Sequence, residues 1–461
     1  MPTPGSTRIT IVGAGLAGAL MACYLAKMGY RVAVYERRPD PRIAGAERGR
    51  SINLALSARG IKGLAGVGLA DSILQNAIPM RGRTLHSRSG SIAFQPYSKN
   101  RSDAINSVSR AGLNLALIEA AAAYPNVELH FDHRCLDVDL DAPAAIFEHE
   151  LAPGTPDSKP RTQIVRVESD LIIGADGAFS AVRTKMQKTE RFQYAQSYLE
   201  HGYKELNIPP REGSSSEDRF VMEKNALHIW PRGGSMMIAL PNADGSFTCT
   251  LFWPYEGRHS FAALKTPDQI ERFFNEEYPD AVPLMPSLVE DYLRNPVGSL
   301  VTIKCQPWRH DGKVVLLGDA AHAIVPFYGQ GMNCAFEDCI SLADCLKNSP
   351  DDLGRALADF EADRKENADA IADMALDNFI EMRDKVASRA FRLKKRLEHL
   401  LHAIFPGAFT PLYNMVSFST IPYAQARRQA QRQSFLILTT GAWLGTIALA
   451  LLIVLLIHFL R

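Results

Sequence analysis

The apolar run Arg8-Ile9-Thr10-Ile11-Val12 passes directly into Gly13-Ala14-Gly15-Leu16-Ala17-Gly18. A helical pattern from Leu16 to Met28 follows, then a second apolar strand from Arg31 to Tyr35 that ends at Glu36. Strand, glycine turn, helix and strand in this order read as a βαβ unit, which needs a parallel pair of strands joined by a crossover helix. An all-helical or wholly antiparallel fold is excluded for this end of the chain. In such a unit Gly13 permits the tight turn, Gly15 lets the backbone approach a pyrophosphate, and Gly18 lets the helix pack close to the sheet. The helix N-terminus offers free N–H groups to the diphosphate. Glu36 stands where a carboxylate accepts a bond from a ribose hydroxyl. Taken alone, the unit suits NAD as well as other adenine dinucleotides.

Two later stretches narrow the choice. Leu171-Ile172-Ile173-Gly174-Ala175 ends at Asp176-Gly177, with Ser180 and Arg183 following, and Val314-Val315-Leu316-Leu317 ends at Gly318-Asp319. The second is followed by Ala320-Ala321-His322, Pro326 and Gly329-Gln330-Gly331-Met332-Asn333. Each stretch closes a buried-type strand with a turn, as the first one does. The 461 residues allow two or three domains and a large core. Lys and Arg number 51 against 50 Asp and Glu, a formal charge of +1, so no global field draws in nucleic acid. The 7 cysteines are dispersed with no CxxC pair, which argues for a reducing compartment and against a disulfide framework or zinc site.

Between residues 190 and 295 the pattern alternates, as in Ala226–Trp230, Met236–Leu240 and Phe247–Phe252, with turns at Gly233-Gly234 and Asp244-Gly245. An antiparallel sheet is expected there. Residues 140 to 165 suggest a hairpin with a surface loop, and Ile340 to Leu401 has a helical apolar period. Met1-Pro2-Thr3-Pro4 leads straight into the first strand, so no secretory segment is expected. Phe435 to Leu460 is almost wholly apolar. As a helix it would exceed the ~30 Å hydrocarbon core of a bilayer, and Arg427, Arg428 and Arg432 before it would keep the main domain on the cytoplasmic side. The alternative is a buried terminal helix or a dimer contact.

The Asp176-Gly177 and Gly318-Asp319 stretches resemble the paired motifs of the FAD-dependent aromatic hydroxylases. Longer segments narrow the likeness to the kynurenine 3-monooxygenases within that family. These are Arg48–Leu56, Met80-Arg81-Gly82-Arg83, Leu227–Pro231, Val325–Asn333 and Met415–Ser419. One departure is Tyr328, at a loop position where the family varies.

The resemblance implies an α/β fold with a Rossmann-like FAD-binding domain built from residues 1–70, 101–185 and 296–345. An antiparallel-sheet substrate domain is inserted as residues 71–100 and 186–295. A C-terminal helical region at 346–425 and a transmembrane helix at 434–460 complete the expected architecture. The implied dinucleotide contacts are Gly13, Gly15, Ala17, Gly18, Glu36, Arg37, Arg38, Ala55, Arg110, Cys135 (through its backbone), Asp176, Asp319, Met332 and Asn333. Asp319 would hold the ribityl chain, while Met332 and Asn333 would present backbone to the isoalloxazine. His322 invites a general-base reading, but in this motif the position usually orders the loop. Arg83 and Tyr97 would grip a substrate carboxylate, assisted by Asn378 and Tyr413, and Glu381 would pair with the substrate ammonium.

The implied reaction is NADPH-dependent conversion of L-kynurenine to 3-hydroxykynurenine with dioxygen, through a flavin hydroperoxide, in tryptophan degradation. No metal and no acid–base residue is assigned. The implied partners are the small substrates, NADPH and, through the tail, a lipid bilayer. That membrane would be the mitochondrial outer membrane in a eukaryote or the inner membrane in a bacterium. Two rivals remain: a membrane-associated hydroxylase or epoxidase of a quinone or isoprenoid, which needs no carboxylate clamp, and a nucleotide-free escort protein, which lacks an intact Asp319 motif.

Overall fold

The computed structural model describes residues 5–44, 53–98, 100, 102–151, 161–213, 218–381, 409–437 and 439. The chain divides into two compact units, Met1–Val386 and Ala387–Arg461.

The first unit contains a six-stranded sheet in the order β18-β19-β12-β1-β2-β8. Its strands are β1 (Arg8–Val12), β2 (Arg31–Tyr35), β8 (Val127–His130), β12 (Leu171–Gly174), β18 (Arg309–His310) and β19 (Val314–Leu316). All pairings are parallel except that of β18, the edge strand. A parallel sheet is covered on both faces, which is why β12 and β19 are buried at every position. The helix Leu16–Lys27 supplies part of that cover. Its Leu20, Met21 and Leu25 have no exposed surface, and each contributes about 1.5–3 kcal/mol by burial. Gly18 permits the close fit, because a Cβ there would lie 1.9 Å from the Gly13 carbonyl oxygen.

A seven-stranded sheet runs β17-β13-β16-β15-β14-β5-β6. It comprises β5 (Gly82–His86), β6 (Ile92–Pro96), β13 (Gln193–Ile208), β14 (Ala226–Pro231), β15 (Met236–Pro241), β16 (Phe247–Pro254) and β17 (Gly298–Gln306). It is antiparallel apart from the β14–β5 pair. The turns expected at Gly233-Gly234 and Asp244-Gly245 are present, with positive φ at all three glycines. One face of this sheet packs on a core of Trp230, Phe247, Phe274, Tyr278 and Tyr292, which includes residues of the helices Pro267–Glu277 and Leu288–Arg294.

Two three-stranded sheets complete the set. One joins β3 (Asn53–Leu56), β4 (Ile78–Met80) and β7 (Ile105–Ser109), the other β9 (His133–Asp139), β10 (Ala144–Leu151) and β11 (Arg161–Glu168). The β10–β11 pair is the expected hairpin, and its connecting residues 152–160 lie outside the described residues. Helices Gly331–Asn348 and Leu353–Ile380 realise the helical pattern expected from Ile340, and the part beyond residue 381 falls outside the described residues until 409.

The expected transmembrane helix is corrected. Among the described residues no helix is long and apolar enough to cross a membrane. The helical run near the C-terminus is described only to residue 437, and 440–461 lie outside the described residues. The fold class is therefore the FAD-binding monooxygenase α/β fold, with no spanning helix among the described residues, and the expected bilayer contact and membrane location are not supported. Apolar composition over residues 435–460 suggested the span, and most of that stretch lies outside the described residues.

Candidate active site

The three motifs follow β1, β12 and β19, which are consecutive neighbours in one parallel sheet. Parallel neighbours end on the same side, so turns that are far apart in sequence meet beyond the carboxyl ends of the strands. Gly13 has φ +102°, and a Cβ there would lie 2.6 Å from the Ala175 carbonyl oxygen just before Asp176. Gly318 has φ +61°, and its Cβ position is 3.3 Å from the Cβ of Ala17. The turns therefore pack on one another as well as converging.

Glu36 ties the glycine turn to the end of β2. Its Oε2 accepts from the Ala14 N–H at 2.8 Å, and its Oε1 accepts from Nε of Arg38 at 2.8 Å. Burial pushes its pKa up, but Arg38 and the backbone donors outweigh that and hold it below the usual carboxylate value. Arg37 and Arg38 are both exposed beside it. Asp176 caps the following helix through Oδ2, which accepts from the Ala181 N–H at 2.7 Å, while burial raises its pKa. Cys135, on β9, has its thiol pushed up to about 12 by burial, with Asp176 adding to the rise, so it stays a neutral thiol.

Asp319 is exposed to solvent at the start of the short helix that follows β19. Desolvation raises its pKa, and the charges of Arg110 and His322 oppose the rise. Arg110 begins the helix Arg110–Ala122. His322 is buried and engaged with Asp338. It is 1% exposed, and its Nε2 contacts Oδ2 of Asp338 at 2.5 Å. Asp338 also accepts from Nε of Arg364 at 2.8 Å and from the Gly318 N–H at 3.3 Å. His322 and Arg364 hold its pKa down against burial. Asp338 and Arg364 escaped the sequence reading because no local motif marks them.

A dinucleotide fits this arrangement. Cβ atoms added at Gly15 and Gly331 would meet nothing within 4 Å, so the backbone there looks into open space. Asn333 spends its side chain within the protein. Its Oδ1 accepts from the Ser57 N–H, and its Nδ2 donates to the carbonyls of Ala55 and Gly329. That leaves the backbone of Met332 and Asn333, at the start of the helix Gly331–Asn348, to face a ligand. Arg183 links the second and third motifs, donating from Nη2 to the Ala178 carbonyl and from Nη1 to the Ala320 carbonyl.

Arg83 and Tyr97 come together, with the guanidinium carbon 5.6 Å from the tyrosine ring centroid. The register puts Arg83 beside Leu227, on the opposite face of the sheet from His228 and Trp230. On that same face Phe252 lies 5.0 Å from Phe327 of the loop before Gly329, and Phe327 stacks on Phe379 at 4.3 Å. Asn378 donates from Nδ2 to the Phe327 carbonyl at 2.7 Å, so it anchors that loop to the Leu353–Ile380 helix. Glu381 caps the end of the same helix. Tyr413 lies in the second unit, on the helix Leu412–Ser417, edge-on to Phe418.

The chain matches the FAD binding domain family over residues 6–375. It is 48% identical over 418 residues to the kynurenine 3-monooxygenase of Myxococcus xanthus, covering 91% of this chain and 87% of that one. It is 47% identical over 432 residues to that of Dictyostelium discoideum, covering 91% and 90%. Among solved structures, it matches 2-methyl-3-hydroxypyridine-5-carboxylic acid oxygenase with a TM-score of 0.63 at 20% identity, covering 84% of this chain and 95% of that one. It matches p-nitrophenol 4-monooxygenase of Pseudomonas putida with a TM-score of 0.61 at 18% identity, covering 85% and 93%; these two likenesses concern the fold alone. With relatives this similar over nine-tenths of its length, the chain belongs to the kynurenine 3-monooxygenase family of FAD-binding proteins.

Proposed function

We propose that the chain hydroxylates L-kynurenine to 3-hydroxykynurenine, using FAD, NADPH and dioxygen. The observation that carries this reading is the 48% identity to a kynurenine 3-monooxygenase over 91% of the chain. When bound, the flavin takes reducing equivalents from NADPH and supplies the activated oxygen, which is chemistry no side chain provides. The chain's own residues bind, orient and dry the site. Gly13, Gly15 and Ala17 line the diphosphate and Gly18 lets the helix seat on the Gly13 turn, with Glu36, Arg37, Arg38, Ala55, Arg110 and Cys135 around the rest of the dinucleotide. Asp176, Asp319, Met332 and Asn333 complete that set.

Arg83 offers paired N–H donors to the substrate carboxylate, and the Tyr97 hydroxyl adds another. Holding the far end of the substrate sets the aromatic carbon against the flavin. Glu381 assists at the substrate, and Asn378 acts by holding the Phe327 loop. Phe252, Phe327 and Phe379 form an apolar wall on the same side, which keeps water from the reacting atoms. A quinone or isoprenoid substrate carries no carboxylate for the Arg83 guanidinium to bind.

The test is anaerobic mixing with NADPH, with and without kynurenine, followed by product identification after air is admitted. Flavin reduction and 3-hydroxykynurenine are expected. A reduced flavin that yields no hydroxylated kynurenine would refute the reading.

A further inference from the structure

Behind the strand that carries Arg83 lies a buried line of titratable groups that the reaction does not use. His86 ends β5 on the opposite face from Arg83 and is 4% exposed. Its Nδ1 lies 2.7 Å from Oδ2 of Asp280, and its Nε2 lies 2.9 Å from Nδ1 of His228. Nε2 of His228 in turn lies 2.8 Å from the Glu223 carbonyl oxygen. His86 also stacks on Trp230, with ring centroids 4.1 Å apart, and the Trp230 indole N–H donates to both oxygens of Asp280.

Three links in series need three hydrogens, one between each pair of heavy atoms. A bare carboxylate and two neutral imidazoles carry only two. The far end settles the direction, because a backbone carbonyl only accepts, so His228 carries its hydrogen on Nε2. Burial pushes His228 down to about 4, which keeps it neutral and leaves its Nδ1 as an acceptor. His86 must then donate from Nε2. Nothing remains for the 2.7 Å contact with Asp280 unless a further hydrogen lies there, and two bare lone pairs at that distance repel. The His86 pKa is lowered, by burial first and by the Arg232 charge as well, and the Asp280 hydrogen bond and charge oppose this only in part. It is therefore the geometry of the three links that calls for the further hydrogen. The hydrogen lies on this link whichever of the two groups holds it.

We infer that Asp280, His86 and His228 hold one hydrogen more than their simple charge states provide, and that His86 is thereby a positioning residue for Arg83. The charged and titratable neighbours are Arg232, Glu277, Tyr278, Arg88 and the Glu223 side chain. Arg232 donates from Nη1 to the His86 carbonyl at 3.0 Å and from Nε to the Glu277 carbonyl, and Arg88 pairs with the Glu277 carboxylate. On its other side β5 pairs only with β6, whose five residues are all exposed. The His86 chain therefore fixes β5 to the interior of the sheet and to the end of the Pro267–Glu277 helix.

The proposal rests on the kynurenine reading for its kinetic test and not for its spectroscopic one. The discriminating variant is Asp280→Asn, whose amide N–H supplies the third hydrogen without a charge. It is expected to keep flavin and a near-normal KM for kynurenine. Asp280→Ala and His86→Ala are expected to raise KM at least about fivefold with kcat little changed and flavin retained. Asp280→Asn as damaging as Asp280→Ala, or a harmless Asp280→Ala, would overturn the inference. In the holoenzyme labelled with 15N-histidine, His228 is expected as the neutral Nε2–H form and His86 Nδ1 as hydrogen-bonded to a shared proton. A bare, unbonded His86 Nδ1 at neutral pH would overturn it with no substrate present, whatever the enzyme's turnover.

Discussion

The six-stranded parallel sheet and the seven-stranded sheet do their work by opposite means. At the first, the proposed binding falls to backbone at the strand ends, where Gly13, Gly15, Gly18 and Gly318 clear space or adopt turns. At the second, the proposed substrate contacts fall to side chains on one face, with Arg83 and Phe252 forward and His86 and Trp230 behind. Backbone sites depend on residues being absent of bulk, and side-chain sites depend on what braces them. The first kind should therefore fail through added atoms, the second through lost partners.

The largest expected effect crosses that divide. Asp338→Ala takes from the buried Arg364 guanidinium its 2.8 Å carboxylate partner beside the Gly318 turn and leaves it only the longer 3.4 Å contact with Glu337, which should cost about 3 kcal/mol of stability. Thermal unfolding of the apoprotein measures this, and an unchanged midpoint would show that the turn is held by backbone alone. Arg83→Ala should retain bound yellow flavin while raising the Kd for kynurenine about 10- to 100-fold, as loss of charge-assisted bonds of about 1.5–3 kcal/mol implies. Unchanged affinity in a titration of that variant would remove Arg83 from the clamp.

Two glycine substitutions sharpen the other side. Gly18→Ala forces a Cβ onto the Gly13 carbonyl and should lower stability by about 1–3 kcal/mol even without ligand. Gly15→Ala meets no protein atom, and its φ of −69° suits alanine, so the apoprotein should melt as the wild type does. Its affinity for FAD should nevertheless fall, by roughly tenfold, since the methyl occupies the diphosphate's space. Equal FAD affinity would mean that the backbone does not approach the ligand there.

The smallest effect concerns Glu36. Its folded pKa lies below the ordinary value, so its contribution to stability is present above the ordinary carboxylate range and is lost as pH falls through the folded value. Acid unfolding should separate wild type from Glu36→Gln at neutral pH and bring them together in acid. Curves that stay parallel down to low pH would detach Glu36 from the glycine turn.

The ordering of motifs along the chain was enough to place β1, β12 and β19 and the turns that follow them, because each motif is a local strand-to-turn signal. The expected hairpin turns at Gly233 and Gly245 were readable for the same reason. The apolar tail suggested a spanning helix by composition alone, and no helix among the described residues is long and apolar enough to be one.

Local chemistry by itself determined that a dinucleotide-binding βαβ unit exists and where its glycines stand, because a turn and a close approach are properties of consecutive residues. Only the tertiary structure decided that Asp338 braces Gly318, that Asn378 holds the Phe327 loop 51 positions away, and that Asp280 meets His86 across 194. A buried hydrogen bond demands a partner but does not say where in the chain it comes from. Strand register and helix packing supply that answer, and they are set by the whole core at once.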